Sequence, residues 1–298
     1  MIGSEFLLRA TARRGAVILC FHQISLEAFC LWIESLLRAF TLISLEELVQ
    51  RRERRQPLTG LIAVTFDDGW ADTCNPIAEV CEARRWPITI YLIAGLFGAR
   101  QRLWFAELPE LLRQAAGRRF DVDGEVIDLR SRAFAGTRAG LVERLRQLPA
   151  DEAIWFIDRA MAAAGIGRNN GAQPFVDLRF VQRYAQSDCI SFGSHTVDHR
   201  ALTSQSDGQV ACQLSESRLR LEDVTGRPVG HLCYPYGYPR WIGDAAPRIA
   251  SRIYRSATTM VRGLCTDQSD PWYLPRVSFY QSDSINRGLA KMVLTSRR

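Results

Sequence analysis

The chain has 298 residues, of which 47% are hydrophobic and 23% charged, proportions of an ordinary globular protein with a sizeable core and not of a disordered or fibrous chain. The net charge of +6 is carried by arginine, Lys291 being the only lysine. No basic run is interleaved with aromatics, which argues against nucleic acid as a partner, whereas an Arg-rich surface suits phosphate or anionic lipid head groups and leaves peripheral membrane association open.

The eight cysteines are scattered, without a C-x-x-C pair, and several sit in apolar runs, a usage that fits reduced thiols in a reducing compartment. No stretch approaches the ~18 consecutive apolar residues of a transmembrane helix. Met1 to Gly15 lacks a basic region followed by an apolar block and a cleavage site. The expectation is a cytoplasmic protein without a membrane span. Gly3-Ser4-Glu5-Phe6 has the look of a cloning remnant, in which case a native export signal could have been lost.

Ala16 to Phe21 reads as a buried strand with His22 at its C-terminal end, and Phe29, Ile33, Leu36, Leu37 and Phe40 then recur at helical spacing. Ser44 followed by Glu47 has the form of a capping box opening a helix through Val49. A second buried strand, Leu61 to Phe66, runs into Asp67-Asp68-Gly69 and a helix over Asp72 to Arg85. A third strand covers Ile88 to Ile93. Between about Gly98 and Phe180 the rhythm gives way to helical, aromatic-containing sequence, read as an insertion or lid within one domain spanning 1–298. Cys189 to Phe192 resumes the strands before Gly193-Ser194-His195, and a helix follows from about Gly208 to Val224. Three further strands are expected over His231 to Tyr234, Tyr254 to Thr258 and Leu274 to Phe279. About seven parallel strands alternating with helices define an α/β protein, compatible with a barrel of βα units.

In such folds functional groups collect at the C-terminal ends of strands. His22, Asp67, Asp68, His195 and Pro235-Tyr236-Gly237 all fall there, and three of the four histidines take part. Two adjacent carboxylates at the rim of an apolar core repel unless a cation or proton separates them. Asp-Gly is also a common turn dipeptide, and histidines four apart also occur on helix faces without function. Combined, His195, His199 and a carboxylate supply two nitrogens and one oxygen, a set suited to zinc or a similar divalent ion with open positions for water.

Thr65-Phe66-Asp67-Asp68-Gly69, then Ser194-His195-Thr196-Val197-Asp198-His199, then Tyr234-Pro235-Tyr236-Gly237 resemble the first three ordered motifs of the polysaccharide deacetylase (NodB-homology, carbohydrate esterase family 4) superfamily. The resemblance spans about Val17 to Phe279. It implies a distorted (β/α) barrel of about seven strands, Asp68, His195 and His199 as metal ligands, and Asp67 as general base. It further implies one divalent ion, zinc first and cobalt or nickel as alternatives, and removal of an N-acetyl group from an amino sugar. The metal would acidify water and polarise the amide carbonyl, Asp67 would take the proton, and a backbone N–H near Tyr236 would hold the oxyanion.

Two departures from the family pattern sharpen the expectation. The usual C-terminal catalytic histidine is missing, since no histidine follows His231. Leu19-Cys20-Phe21-His22 instead resembles the circularly permuted arrangement of the branch that deacetylates poly-N-acetylglucosamine, which makes His22 the candidate acid; the alternative is a buried histidine satisfied by a backbone carbonyl. Many relatives carry an arginine two residues before the proline of the third motif, where this chain has Cys233. Arg276 is the candidate replacement that orients Asp67, the alternative being a surface arginine paired with a neighbouring acid.

Trp70, Trp104, Trp241 and Trp272 are candidate sugar-stacking aromatics, each also plausible as core. The expected substrate is an N-acetylated saccharide, with a nucleotide- or lipid-linked precursor as one form. The rivals are an amidase for a cyclic amide or imide on the same scaffold, and a non-catalytic saccharide-binding protein.

Overall fold

The computed structural model describes residues 8–97, 102–130, 132–167, 174–280, 283, 287–288 and 290–292. Gly3-Ser4-Glu5-Phe6 and Gly98, where the insertion was expected to begin, lie outside the described residues. The strands are β1 (Val17–Phe21), β2 (Thr41–Leu42), β3 (Leu61–Phe66), β4 (Ile88–Leu92), β5 (Arg119–Val122), β6 (Glu125–Asp128), β7 (Ile190–Ser194), β8 (His231–Cys233), β9 (Ser256–Thr258) and β10 (Val277–Ser278). One parallel sheet runs in the order β10-β1-β3-β4-β7-β8-β9, with β2 beside β3. Its seven ordered strands are those expected from the sequence. The sheet curls so that Thr258 of β9 bridges to Leu274, just ahead of β10, and the result is a distorted barrel with helices outside. The last strand lies beside the first, Leu19 facing Val277 and Cys20 facing Ser278.

The apolar runs explain the strands. Every residue of β1, β3 and β4 is buried, as expected where one face meets helices and the other fills a barrel. Val17, Leu19 and Phe21 join Ile62, Val64 and Phe66 in the layer under helix Leu26–Leu36, contacting its Phe29, Ile33 and Leu36. Each such side chain contributes about 1.5–3 kcal/mol on burial. The alternate residues Ile18 and Ala63 turn the other way, to Tyr91, Cys233 and Leu274. Tyr91 occupies the space that a side chain at position 193 would need: a Cβ on Gly193 would lie 2.5 Å from its ring.

Helix starts follow the chemistry of their first residues. Ser44 Oγ accepts from the Glu47 N–H at 3.0 Å, opening Leu45–Glu53, while the Glu47 side chain turns to Arg51. Ser206 and Gln209 form a complete capping box at the head of Asp207–Thr225.

The stretch between β4 and β7 holds helices Trp104–Gln114, Phe134–Leu145 and Ala150–Ala163 and the antiparallel hairpin β5-β6. The helical expectation missed that hairpin. Asp123 and Gly124 connect its strands with φ of 56° and 84°, the positive values that a two-residue turn with the strands' own twist demands. Helices and hairpin share a separate apolar cluster, from Trp104 to Ile166, that includes Leu111, Val122, Ile127 and Ile157. Val176, Phe180 and Val181 pack with the main core instead.

Remote from the strand C-termini, Glu46 meets His231 Nε2 at 2.9 Å and also pairs with Arg255. The His231 hydrogen bond outweighs partial burial and lowers the Glu46 carboxyl from 4.5 to about 2. A carboxyl depressed in the folded state contributes stability that is complete above its unfolded value and fades as pH falls toward the folded one. Urea titrations of Glu46→Gln should therefore show a shallower loss of stability between pH 4.5 and about 2 than the parent; parallel pH profiles would contradict this. Gly193→Ala should cost about 1–3 kcal/mol by overpacking against Tyr91, read as a lowered urea midpoint at unchanged slope.

Candidate active site

Asp67 and Asp68 follow β3, His22 follows β1, His195 follows β7 and Tyr236 lies just past β8, so the curl of the sheet brings their side chains to one cavity of about 190 Å³. The connecting loops are strained. Asp68, Thr196, His199 and Tyr236 have φ of 69°, 65°, 58° and 60°, a left-handed region uncommon for residues with a side chain and especially costly for β-branched threonine. The His195 to His199 segment is therefore a loop and not a turn of helix. Gly237 has φ 65°, and a Cβ there would lie 2.6 Å from the Met260 backbone nitrogen, so only glycine lets the turn after β8 approach the end of β9.

Asp68, His195 and His199 are buried, with their donor atoms turned together. Asp68 Oδ1 lies 3.4 Å from His195 Nε2 and 3.5 Å from His199 Nε2. Ligand bonds of about 2.1 Å at tetrahedral angles put donor atoms about 3.4 Å apart. His195 Nδ1 is 2.7 Å from the Cys233 carbonyl oxygen, to which its N–H donates, leaving the Nε2 lone pair for the shared point. The other Asp68 oxygen accepts from Trp70 Nε1 at 3.0 Å. Oδ1 itself is buried without a hydrogen-bond donor, a costly arrangement that a cation would resolve. Burial opposes the Asp68 charge, but the neighbouring imidazoles of His195 and His199 lower its carboxyl to about 2. Burial, then the neighbouring His195, lowers His199 to about 3 and favours the neutral imidazole that metal binding needs. The residues present thus fit a divalent ion.

Asp67 has a different environment. Arg276 Nη1 and Nη2 each reach one of its oxygens at 2.7 Å, forming a two-pronged pair inside the barrel. Neither partner touches solvent appreciably, their side chains being 2% and 0% exposed. The guanidinium also donates to the Thr259 carbonyl at 2.8 Å and to Thr65 Oγ1 at 3.1 Å. Burial alone would push the Asp67 carboxyl up; the Arg276 charge and hydrogen bonds override it and hold the group well below the usual carboxylate range. Arg276 is thus no surface arginine. Cys233 lies 3.1 Å from Arg276 Nη2, its small side chain leaving room for a guanidinium that arrives from β10. Cys20 and Cys233 point their thiols at Asp67 Oδ2 from 3.4 and 3.5 Å.

His22 is 35% exposed at the rim, its Nε2 3.7 Å from Asp67 Oδ2 and its Nδ1 3.9 Å from Cys20 Sγ, with no backbone carbonyl bond among the described residues. Tyr236 packs its ring 4.7 Å from that of His199. Of the four tryptophans, Trp104 lines the cavity, Trp70 holds Asp68, Trp241 packs 6.1 Å from Tyr236, and Trp272 turns away to the Tyr254 carbonyl. The insertion supplies residues that the sequence did not single out. Phe105 packs 4.8 Å from the His199 ring, and Arg146 reaches the cavity beside Tyr236. Neither sits in a recognisable motif.

The barrel rim thus carries an Asp-His-His donor set able to hold a divalent ion beside a second, arginine-held aspartate. Residues 143–252, which include both histidines and the turn around Tyr236, match the polysaccharide deacetylase family. The resemblance read from the motifs is thus met by an independent match. No curated protein matches the chain's sequence. Among solved structures the chain is similar to IcaB from Ammonifex degensii (TM-score 0.61, 16% identity, covering 94% of this chain and 97% of that one). It is also similar to the Streptococcus pyogenes deacetylase PplD in complex with acetate (0.56, 16%, 93% and 97%). The deacetylase domain of BpsB from Bordetella bronchiseptica is a third (0.54, 15%, 89% and 96%). At these identities the likeness establishes a shared fold.

Arg276→Met should destabilise the chain by about 3–5 kcal/mol, because it strands a buried carboxylate, whereas Arg276→Lys should retain part of the loss. Equal urea midpoints for parent and Arg276→Met would show that the pair constrains nothing. Zinc titration by calorimetry should give one site per chain, weakened at least about tenfold by His199→Ala or Asp68→Asn.

Proposed function

We propose that this protein is a metal-dependent deacetylase that hydrolyses the N-acetyl group of an amino sugar in a glycan or saccharide precursor. The observation that carries the reading is the division of labour between adjacent aspartates: Asp68 shares a point with His195 and His199, while Asp67 is withdrawn from that point by Arg276.

In this reading Asp68, His195 and His199 hold the divalent ion, zinc being the first candidate from the donor set. When bound, such an ion acidifies water and polarises the amide carbonyl. Arg276 keeps Asp67 ionised and fixes its plane, and Asp67 Oδ1, which accepts one bond from Arg276 among the described residues, retains a lone pair for a proton. Asp67 takes the proton of the attacking water as it adds to the carbonyl carbon. The backbone at Tyr236 provides the N–H for the developing oxyanion. His22, at the rim and near Asp67, gives a proton to the leaving nitrogen, so that the amine departs neutral as the carbon-nitrogen bond breaks. The resulting products are acetate and a free amino sugar. The position of β10 beside β1 supports His22 in this part, because a group at the end of either strand reaches the same side of Asp67.

Acetate release from N-acetylglucosamine and its oligomers tests the reading. Activity should vanish with a chelator and return with zinc, and Asp67→Asn and His22→Ala should each lower kcat by about 10²–10⁴-fold. Turnover of small cyclic amides without acetate release from any N-acetylated sugar, or an Asp67→Asn variant with full activity, would overturn it.

A further inference from the structure

The insertion places one arginine, Arg146, in the active-site cavity, while several of its others are spent on carboxylates. Arg102 is paired with Glu107 and Asp158, Arg144 with Glu125, and Arg130 with Asp128. The Arg146 side chain has no hydrogen bond among the described residues: its Nε is buried without a partner, and its nearest carboxylate, Glu143, is 4.0 Å away and itself half exposed. The guanidinium is nonetheless held in place. It lies 4.8 Å over the Tyr236 ring and 5.7 Å from that of Trp241, whose Nε1 is likewise buried without a partner. Its backbone oxygen accepts from the Ala201 N–H at 3.0 Å, two residues beyond His199. A planar cation fixed on aromatic faces with its donors unspent is organised to receive oxygens of a planar or tetrahedral anion.

The charges around the cavity agree. Among the lining residues Asp67 and Arg276 cancel each other and a divalent ion would outweigh Asp68, so Arg146, with only the half-exposed Glu143 near it at 4.0 Å, adds positive charge to the cavity. The geometry points to Arg146 as a specificity-determining residue that binds an anionic oxygen substituent of the substrate, a phosphate ester or a carboxylate carried by the same saccharide as the scissile amide. This rests on the deacetylase reading for the identity of the site, but the anion contact stands on Arg146 itself.

Binding of non-hydrolysable product sugars to the zinc-loaded protein, followed by calorimetry, tests the contact. Glucosamine 1-phosphate and muramic acid supply the phosphate and carboxylate arms, and glucosamine is the neutral reference. At least one anionic sugar should bind about tenfold or more tightly than glucosamine, as a charge-assisted hydrogen bond would give. Arg146→Met, which keeps the stem over the aromatic rings, should abolish the preference, read as the ratio of anionic to neutral sugar affinity, and Arg146→Lys should keep part of it. Equal affinities for all three sugars in the parent, or a Met variant that retains the preference, would overturn the proposal. A preference that Arg146→Met and Arg146→Lys erase equally would overturn a charge-based contact. The two readings fail separately. Arg146-dependent anion binding without acetate release from any N-acetylated sugar removes the deacetylase and keeps the anion site; acetate release with equal kcat/KM for neutral and phosphorylated substrates, unchanged in Arg146→Met, does the reverse.

Discussion

Inside the barrel, where neighbouring strands offer apolar or small side chains, Asp67 and Arg276 form a buried ion pair of which only Asp67 reaches the cavity. Each charge would be prohibitively costly alone, and together they are tolerable only because two parallel hydrogen bonds to Asp67, the Thr259 carbonyl, Thr65 Oγ1 and Cys233 Sγ occupy the guanidinium's five donors. Much of the surrounding structure is arranged around that requirement. Cys233 is small where Arg276 Nη2 must pass, β10 is brought beside β1 so that the guanidinium points inward, and Tyr91, 5.8 Å from the guanidinium carbon, fills the remaining space against Gly193. Such a pair adds little net stability compared with an apolar core, but it fixes the plane of one carboxylate at the place where the strands end.

The metal-type donor set beside it is built by the opposite means, on loops and not on strands. Two of its three members, Asp68 and His199, and the adjoining Thr196 and Tyr236 hold left-handed backbone conformations that the chain does not adopt freely. Their cost is met by tertiary contacts, such as the His195 bond to the Cys233 carbonyl and the Asp68 bond to Trp70. A rigid sheet with strained rims is an economical way to aim side chains, because the strands set position and the unusual loop angles set direction.

The seven barrel strands were legible because a parallel strand buried on both faces leaves an unbroken apolar run, and Leu61 to Phe66 is as plain in sequence as in space. The donor residues were legible because strand ends carry them at fixed offsets. Arg276 was legible only by elimination, once Cys233 stood in the expected place of an arginine. The hairpin was not found, although Asp123-Gly124 between alternating residues gives the signal, because the helical periodicity on both sides dominated the reading. Arg146 was invisible for a physical reason: its importance comes from contacts with Tyr236 and Ala201, far away in sequence, and no local pattern records a contact of that kind.

That last contact links two parts of the chain that otherwise keep separate apolar clusters. The Ala201 N–H bonds to the Arg146 carbonyl, and Arg200 Nε reaches back to the Gln147 carbonyl at 2.9 Å. The segment around Gln147 is therefore a splint for the loop that ends in His199. Exchanging the insertion for that of another protein would alter the backbone support of the loop that carries His199 as well as the shape of the cavity mouth. A graft meant to change which sugar is accepted would need its junctions drawn so that residues 146 and 147 stay with the barrel and not with the transplanted piece.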